Sequence, residues 1–335
     1  MARAWVWLAV WAGFASAAGA QITGMATTDD GSVLYFATAL NLLGSRHPAT
    51  ARIYVCDAGG LRVYADRFPG AAPPNTVLSN PWVSGDGSVV AYRGTYTAGS
   101  GTQTLTAIQR GSGAPMVLNS AAVLSANGQY ALIPGPALLD LTSGAETGIP
   151  QPPPYDNVLL EGVASDGTVL VYNLGLSLLD TWRPGAIQYI AAGTAAAVMD
   201  DAADTVVYVQ DGALYLYDLA SGNGRLFANG TAPSISRDGQ WVAFLSPMNG
   251  VAQAWAVPAD QSGYWQLTDE PLGATAAIVS GSGNVVYAAT ATNAIWKYDL
   301  ASGTATRILP HSEQDALREA PALWKLCERH GPNFF

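Results

Sequence analysis

The sequence predicts an all-β chain folded as a seven-bladed β-propeller of four-stranded antiparallel blades. Three observations carry that expectation. One segment pattern recurs seven times along the chain, with turn positions at 31, 87, 128, 167, 204, 239 and 283, a mean spacing of 42 residues. That spacing is the length of a four-stranded propeller blade. The turns are glycine-rich and flanked by strands that alternate apolar with other residues, as half-buried strands do. Charged residues make up only 12% of the chain against 49% hydrophobic, a composition of many short packed strands and turns.

The first half of each repeat is a strand, a tight turn and a second strand. It reads Asp30-Gly31 before Val33-Leu34-Tyr35, and Asp86-Gly87 before Val89-Val90-Ala91-Tyr92. The pattern returns at Asn127-Gly128, Asp166-Gly167 and Asp238-Gly239, at Gly283, and with Asp204 in place of the turn glycine in the fifth repeat. Asp-Gly fits a two-residue hairpin turn, which asks for positive φ at both central residues. The second half is clearest at residues 213–227 and 294–309, where Ser-Gly sits between two alternating strands. Each repeat is thus two hairpins. No repeat buries its own apolar faces, so each must be covered by the next around a ring.

The Ser-x-Asp-Gly-x-x-Val-Ala-Phe/Tyr segment resembles the WD40-like repeat of the TolB family of periplasmic β-propellers. The likeness covers residues 22–310 and is strongest at 234–268 and 279–309. It implies a propeller scaffold that binds proteins or peptides, and it is nearly silent on chemistry.

Residues 1–20 read as a secretory signal peptide. Arg3 supplies the positive start, residues 5–14 an apolar core too short to span a bilayer, and Ala18-Gly19-Ala20 a cleavage site before Gln21. The propeller then occupies 21–310 and a charged C-terminal tail 311–335. The expected location is the periplasm or the cell exterior. The net charge of −10 repels nucleic-acid phosphates and anionic lipid. No later segment is apolar enough to span a membrane. The expected partner of this monomeric chain is a protein, peptide or glycan, with no cofactor and no metal.

The long connections, residues 37–51, 68–81 and 150–156, should gather on one face, opposite the tight turns. Variable loops on a rigid scaffold are where binding concentrates. Trp82, beside the proline-rich loop, is the candidate contact residue. The turn aspartates Asp30, Asp86, Asp166 and Asp238 recur in register, which suits turn chemistry better than catalysis. Asp200-Asp201-Ala202-Ala203-Asp204 lacks the glycine and terminal glutamate of a calcium loop. His47, His311 and His330 are too dispersed for a histidine metal site.

Two functions remain open. One is a non-catalytic binding or scaffolding module that contacts its ligand through the long-loop face or the mouth of the central channel. The other is a glycan-active enzyme of glycosidase or lyase type on the same scaffold. A paired-carboxylate mechanism would look first to Glu146, Glu161 and Glu270, which lie outside the repeated turns. Trp241, Trp255 and Trp296 fall on strands and should pack between blades. Cys56 and Cys327, the chain's two cysteines, could form a disulfide across the seam between the first and last blades.

Overall fold

A computed structural model describes residues 22–43, 51–99, 101–150, 158–309 and 329–330. It holds seven separate antiparallel sheets, each built from one continuous stretch of chain. Blade 1 comprises β1 (Ile22–Thr27), β2 (Leu34–Thr38), β3 (Arg52–Asp57) and β4 (Gly60–Ala65). Blade 2 comprises β5 (Val77–Val83), β6 (Val89–Ala98), β7 (Gly101–Arg110) and β8 (Met116–Leu118). Blade 3 is the smallest: β9 (Val123–Leu124), β10 (Tyr130–Ile133), β11 (Ala137–Asp140) and β12 (Glu146–Gly148). Blade 4 is β13 (Val158–Val163), β14 (Val169–Asn173), β15 (Leu178–Arg183) and β16 (Ala186–Ala192). Blade 5 is β17 (Thr194–Met199), β18 (Thr205–Gln210), β19 (Ala213–Asp218) and β20 (Asn223–Asn229). Blade 6 is β21 (Thr231–Ile235), β22 (Trp241–Met248), β23 (Val251–Pro258) and β24 (Trp265–Gln266). Blade 7 is β25 (Ala274–Val279), β26 (Val285–Thr290), β27 (Ile295–Asp299) and β28 (Thr304–Leu309). A two-residue strand from the tail, β29 (Arg329–His330), pairs with the outer edge of β28. No helix occurs among the described residues.

The core lies between blades, as the alternation requires. Leu170, Tyr172, Val206 and Tyr208 fill the gap between blades 4 and 5. Ala254, Ala256, Val286 and Ala288 fill that between blades 6 and 7, with Trp241 and Trp296 packed against them. Trp255 packs against the blade 5–6 cluster. The ring closes where Leu34, Phe36 and Tyr54 of blade 1 meet Val285, Tyr287 and Ile295 of blade 7. Among the described residues, no strand is exchanged across this seam. Side-chain packing joins it, together with three hydrogen bonds: Ser282 N–H to the Asp29 carbonyl at 2.9 Å, and Tyr287 Oη and Lys297 Nζ to the Gly31 carbonyl at 2.8 and 2.9 Å. Cys56 is partly buried at this seam; Cys327 lies outside the described residues.

Two details of the repeat differ from expectation. The first turn is not a two-residue hairpin, since β1 and β2 are separated by residues 28–33. Only its glycine takes positive φ, 64° at Gly31, and the preceding aspartate does not. The aspartate closes the loop with its side chain instead: Asp30 Oδ1 accepts the Ser32 N–H at 3.0 Å and the Thr28 hydroxyl at 2.7 Å. In the fifth blade the residue at positive φ is Ala203, at 54°, not Asp204. Asp200 there replaces the loop's serine, and its Oδ1 accepts the N–H groups of Asp204 and Thr205.

Candidate functional site

The first strands of adjoining blades lie side by side around the axis. Because every blade is a four-stranded meander, the β1–β2 and β3–β4 turns of each blade leave on one face. The β2–β3 and blade-to-blade connections leave on the other. We call these the turn face and the loop face.

At the turn face, one turn position recurs in every repeat, the residue after Thr28, Ser84, Ser125, Ala164, Asp200, Ser236 and Ser280. These residues are Asp29, Gly85, Ala126, Ser165, Asp201, Arg237 and Gly281. Hydrogen bonds link all seven turns in a closed belt. Backbone N–H groups of Asp29, Gly85, Asp201 and Arg237 donate to the carbonyls of Gly85, Ala126, Arg237 and Gly281 respectively, all at 3.0–3.1 Å. Ser282 N–H returns to Asp29. The two links flanking blade 4 use side chains: Asn127 Nδ2 to the Ser165 carbonyl, and Ser165 N–H to Asp201 Oδ1 at 2.9 Å. Blade 4's turn is one residue tighter, with Ala164 N–H bonded to the Thr168 carbonyl where Thr28 reaches Val33.

The axis is stoppered at this end. Arg237 Nη1 lies 2.8 Å from Asp29 Oδ1, close enough for an ion pair although the N–H is not aimed squarely at that oxygen. Arg237 Nη2 also donates to the Val83 carbonyl at 3.3 Å. Gly85 and Gly281 are glycine because a Cβ at either would overlap this pair. Burial raises the Asp29 carboxyl above the usual aspartate range; Arg237 pulls it back, and Asp201, Asp30 and Asp86 push it further up. Burial likewise lowers Arg237, opposed by Asp29, Asp201 and Asp86. Arg237→Met is expected to cost about 1 kcal/mol, since the pair is only partly shielded from water. The double variant with Asp29→Asn should recover most of that loss. Urea midpoints would show it, and equal losses in single and double variants would contradict the pairing.

The loop face carries exposed apolar side chains among its described residues. Its connections run long at residues 39–51, 66–76, 149–157 and 267–273, and shrink to Gly193, Gly230 and residues 211–212 around blade 5. Six large apolar side chains stand exposed on it: Leu43, Val77, Leu174, Leu176, Met248 and Leu272, the last 70% exposed. Of the expected long segments, the described parts of 37–51 and 68–81 share this face; residues 44–50, with His47, and 151–157 fall outside the described residues.

Glu161 occupies a bulge in β13, between Leu160 and Gly162. Burial pushes its carboxyl up to about 7, against one hydrogen bond from the Ala197 N–H. Glu146 is exposed on the outer strand β12. Glu270 accepts Trp296 Nε1 at 3.3 Å between blades 6 and 7. The three glutamates stand on three separate elements. Trp82 lies on the innermost strand β5, partly buried against the blade 2–3 cluster. The turn aspartates bond their own loops: Asp86 accepts Ser84 and Ser88, and Asp238 accepts Ser236 and Gln240. Asp166 accepts the Thr168 N–H. No three potential metal ligands converge among the described residues. His311 lies outside them. Sequence reasoning missed Asp29 and Arg237, and weighed Asp201 only within the acidic stretch 200–204. Their sequence signal is that this turn position is charged in three repeats and glycine or alanine in three others.

Fold and axis together define a seven-bladed β-propeller whose blades are each contiguous in sequence. No family model matches the chain, and no curated protein does. Among solved structures it is similar to the β-propeller domain of the Trilobed protease from Pyrococcus furiosus, described as having an open velcro topology. That match has a TM-score of 0.58 at 11% identity and covers 87% of this chain and 98% of the other. It is also similar to a chain of the mitotic checkpoint complex (TM-score 0.56, 13% identity, 83% and 86% covered). The C-terminal WD40 domain of Sif2 matches at a TM-score of 0.50, with 13% identity and 81% and 93% covered. At these identities the likeness is one of fold.

Proposed function

We propose that this chain is an exported, TolB-like binding module that contacts a protein or peptide partner through its loop face. The observation that carries this reading is the contrast between the two faces. The turn face is tied by a hydrogen-bonded belt and stoppered by Arg237 and Asp29. The loop face carries six exposed large apolar side chains amid its longest connections, the composition of an interaction surface. Export to the periplasm or the exterior is supported by the charged start, apolar core and small-residue cleavage site of residues 1–20. A binder is favoured over a glycan-active enzyme because Glu146, Glu161 and Glu270 do not converge.

The test is affinity capture from the native envelope with the parent and with a Leu174→Glu, Leu176→Glu, Met248→Glu variant. All three positions are exposed, so the fold should survive. Partners held by the parent and lost by the variant are the expected result. An unchanged partner set would overturn the loop-face assignment.

A further inference from the structure

We propose that the outer edge of blade 4 takes up an extended basic segment of a partner polypeptide as an added β-strand. The feature is β16, Ala186–Ala192, with the sequence Ala-Ile-Gln-Tyr-Ile-Ala-Ala. An unpaired edge strand is a template for another chain, and proteins guard such edges with charge, shortness or cover. Every other blade does so. β8, β12 and β24 have three, three and two residues. β4 carries Arg62, held by Asp57 at 2.7 Å. β20 carries Arg225, bonded to Gln261 and Ala259 of blade 6. β28 carries Arg307 and is covered by β29. β16 is seven residues long with no charge, proline or glycine, and β15 is its one strand partner among the described residues. Blade 5 touches it through Tyr217 Oη, which donates to the Tyr189 carbonyl at 3.4 Å, and through the Leu219 carbonyl, which accepts from Gln188 Nε2 at 2.9 Å.

A second observation concerns the side chains beside that edge. Ile187 pairs with Trp182, and Tyr189 with Asp180. Trp182 belongs to the blade 3–4 cluster, so Ile187 and Tyr189 stand on the face toward blade 3. They are 53% and 52% exposed. Blade 3 leaves them bare because its last two strands have only four and three residues. An added strand would cover both, since cross-strand neighbours share a face.

The occupant follows from charge and precedent. Glu146 is exposed on the short neighbouring strand β12; Asp180, on the same face, is buried and adds little surface charge. A second copy carries the same −10 and is repelled. The chain already shows the pairing: at the equivalent edge of blade 7, β29 pairs antiparallel, with His330 opposite Ala305 and Arg329 opposite Thr306. That segment is basic in sequence.

The test uses the whole exported chain and a blocked peptide of alternating valine and threonine flanked by lysines, with a glutamate-flanked peptide as its pair. Fluorescence anisotropy should show binding of the lysine peptide and much weaker binding of the glutamate peptide. Hydrogen exchange should show new protection confined to β16. Ile187→Lys with Tyr189→Lys should weaken binding about tenfold, the worth of two lost cross-strand pairs. The loop-face variant Leu174→Glu, Leu176→Glu, Met248→Glu should bind the peptide unchanged, which separates this surface from the proposed function. Absence of binding, or protection elsewhere than β16, overturns the proposal. So does sedimentation as a dimer that the double lysine variant dissociates, because the edge then serves a second copy.

Discussion

Glu161→Gln is expected to be more stable than the parent at pH 8 and nearly equal to it near pH 5. Burial lifts the Glu161 carboxyl from 4.5 to about 7. Between those values the folded chain holds a proton that the unfolded chain has released, so this group's contribution falls as pH rises through the window. Above about pH 7.5 the carboxylate is charged in both states and the fold carries the full desolvation cost. A shift of that size converts to about 3 kcal/mol at most, and the partial exposure of Glu161 reduces it to about 2 kcal/mol. Glutamine removes the charge and keeps an acceptor for the Ala197 N–H. Asp29, Asp180 and Asp200 are also raised by burial, so a residual slope of the same sign should persist at lower pH. The turn aspartates act in the opposite direction. Asp86 is lowered to about 2 by Ser84 and Ser88, and its contribution is present above the unfolded pKa and lost only in strong acid. Urea midpoints of both proteins at pH 5 and 8 check the expectation. Parallel pH dependence in parent and variant would refute it.

Gly31→Val is expected to lower stability by about 3 kcal/mol and to loosen the ring at one place. Gly31 sits at φ 64°, where a β-branched residue is strained. A Cβ there would also lie 2.6 Å from Val285 Cβ across the blade 1–7 seam. The same carbonyl receives Tyr287 and Lys297, so a backbone shift to relieve the clash disrupts both bonds. Gly128→Val is the matched control. Its φ is 68° and a Cβ would lie 2.8 Å from Val89 Cγ2, but blades 2 and 3 remain joined by the chain. Gly111→Ala, at φ 51° with open space around it, should show backbone strain alone, about 1 kcal/mol. Hydrogen exchange should find β1 and β25–β28 opening first in Gly31→Val and not in Gly128→Val. Equal protection of the seam in both variants would mean that closure does not depend on this turn.

The repeat shows how far local sequence carries. Seven recurrences of a turn before an apolar strand, six of them with glycine and near 42 residues apart, were enough for blade number and strand number. Period-2 alternation and chain connectivity are local properties, and a meander of four strands leaves no choice of face. The same locality misplaced the fifth turn at Asp204. Asp200 there does the work of the serine, and that equivalence exists only once its carboxylate is seen to cap Asp204 and Thr205. The turn aspartates were read correctly because each bonds atoms within two residues of itself in sequence.

The axis and the blade 4 edge were decided by tertiary structure. Asp29 and Arg237 are 208 positions apart in sequence, and Gly85 and Gly281 are small on their account. A ring brings such residues together through closure, and no periodicity within a repeat records which charge will face which gap. Glu161 stood out in sequence only by lying outside the repeated turns; the fold places its strand innermost, where burial lifts its carboxyl. Ile187 and Tyr189 are bare where the neighbouring blade is short, which no pattern within their own repeat records. Sequence by itself determined the strand pattern and its repetition, since backbone geometry and side-chain alternation act over a few residues. The folded ring determined the site chemistry, since burial and electrostatic pairing depend on neighbours that the chain brings in from other blades.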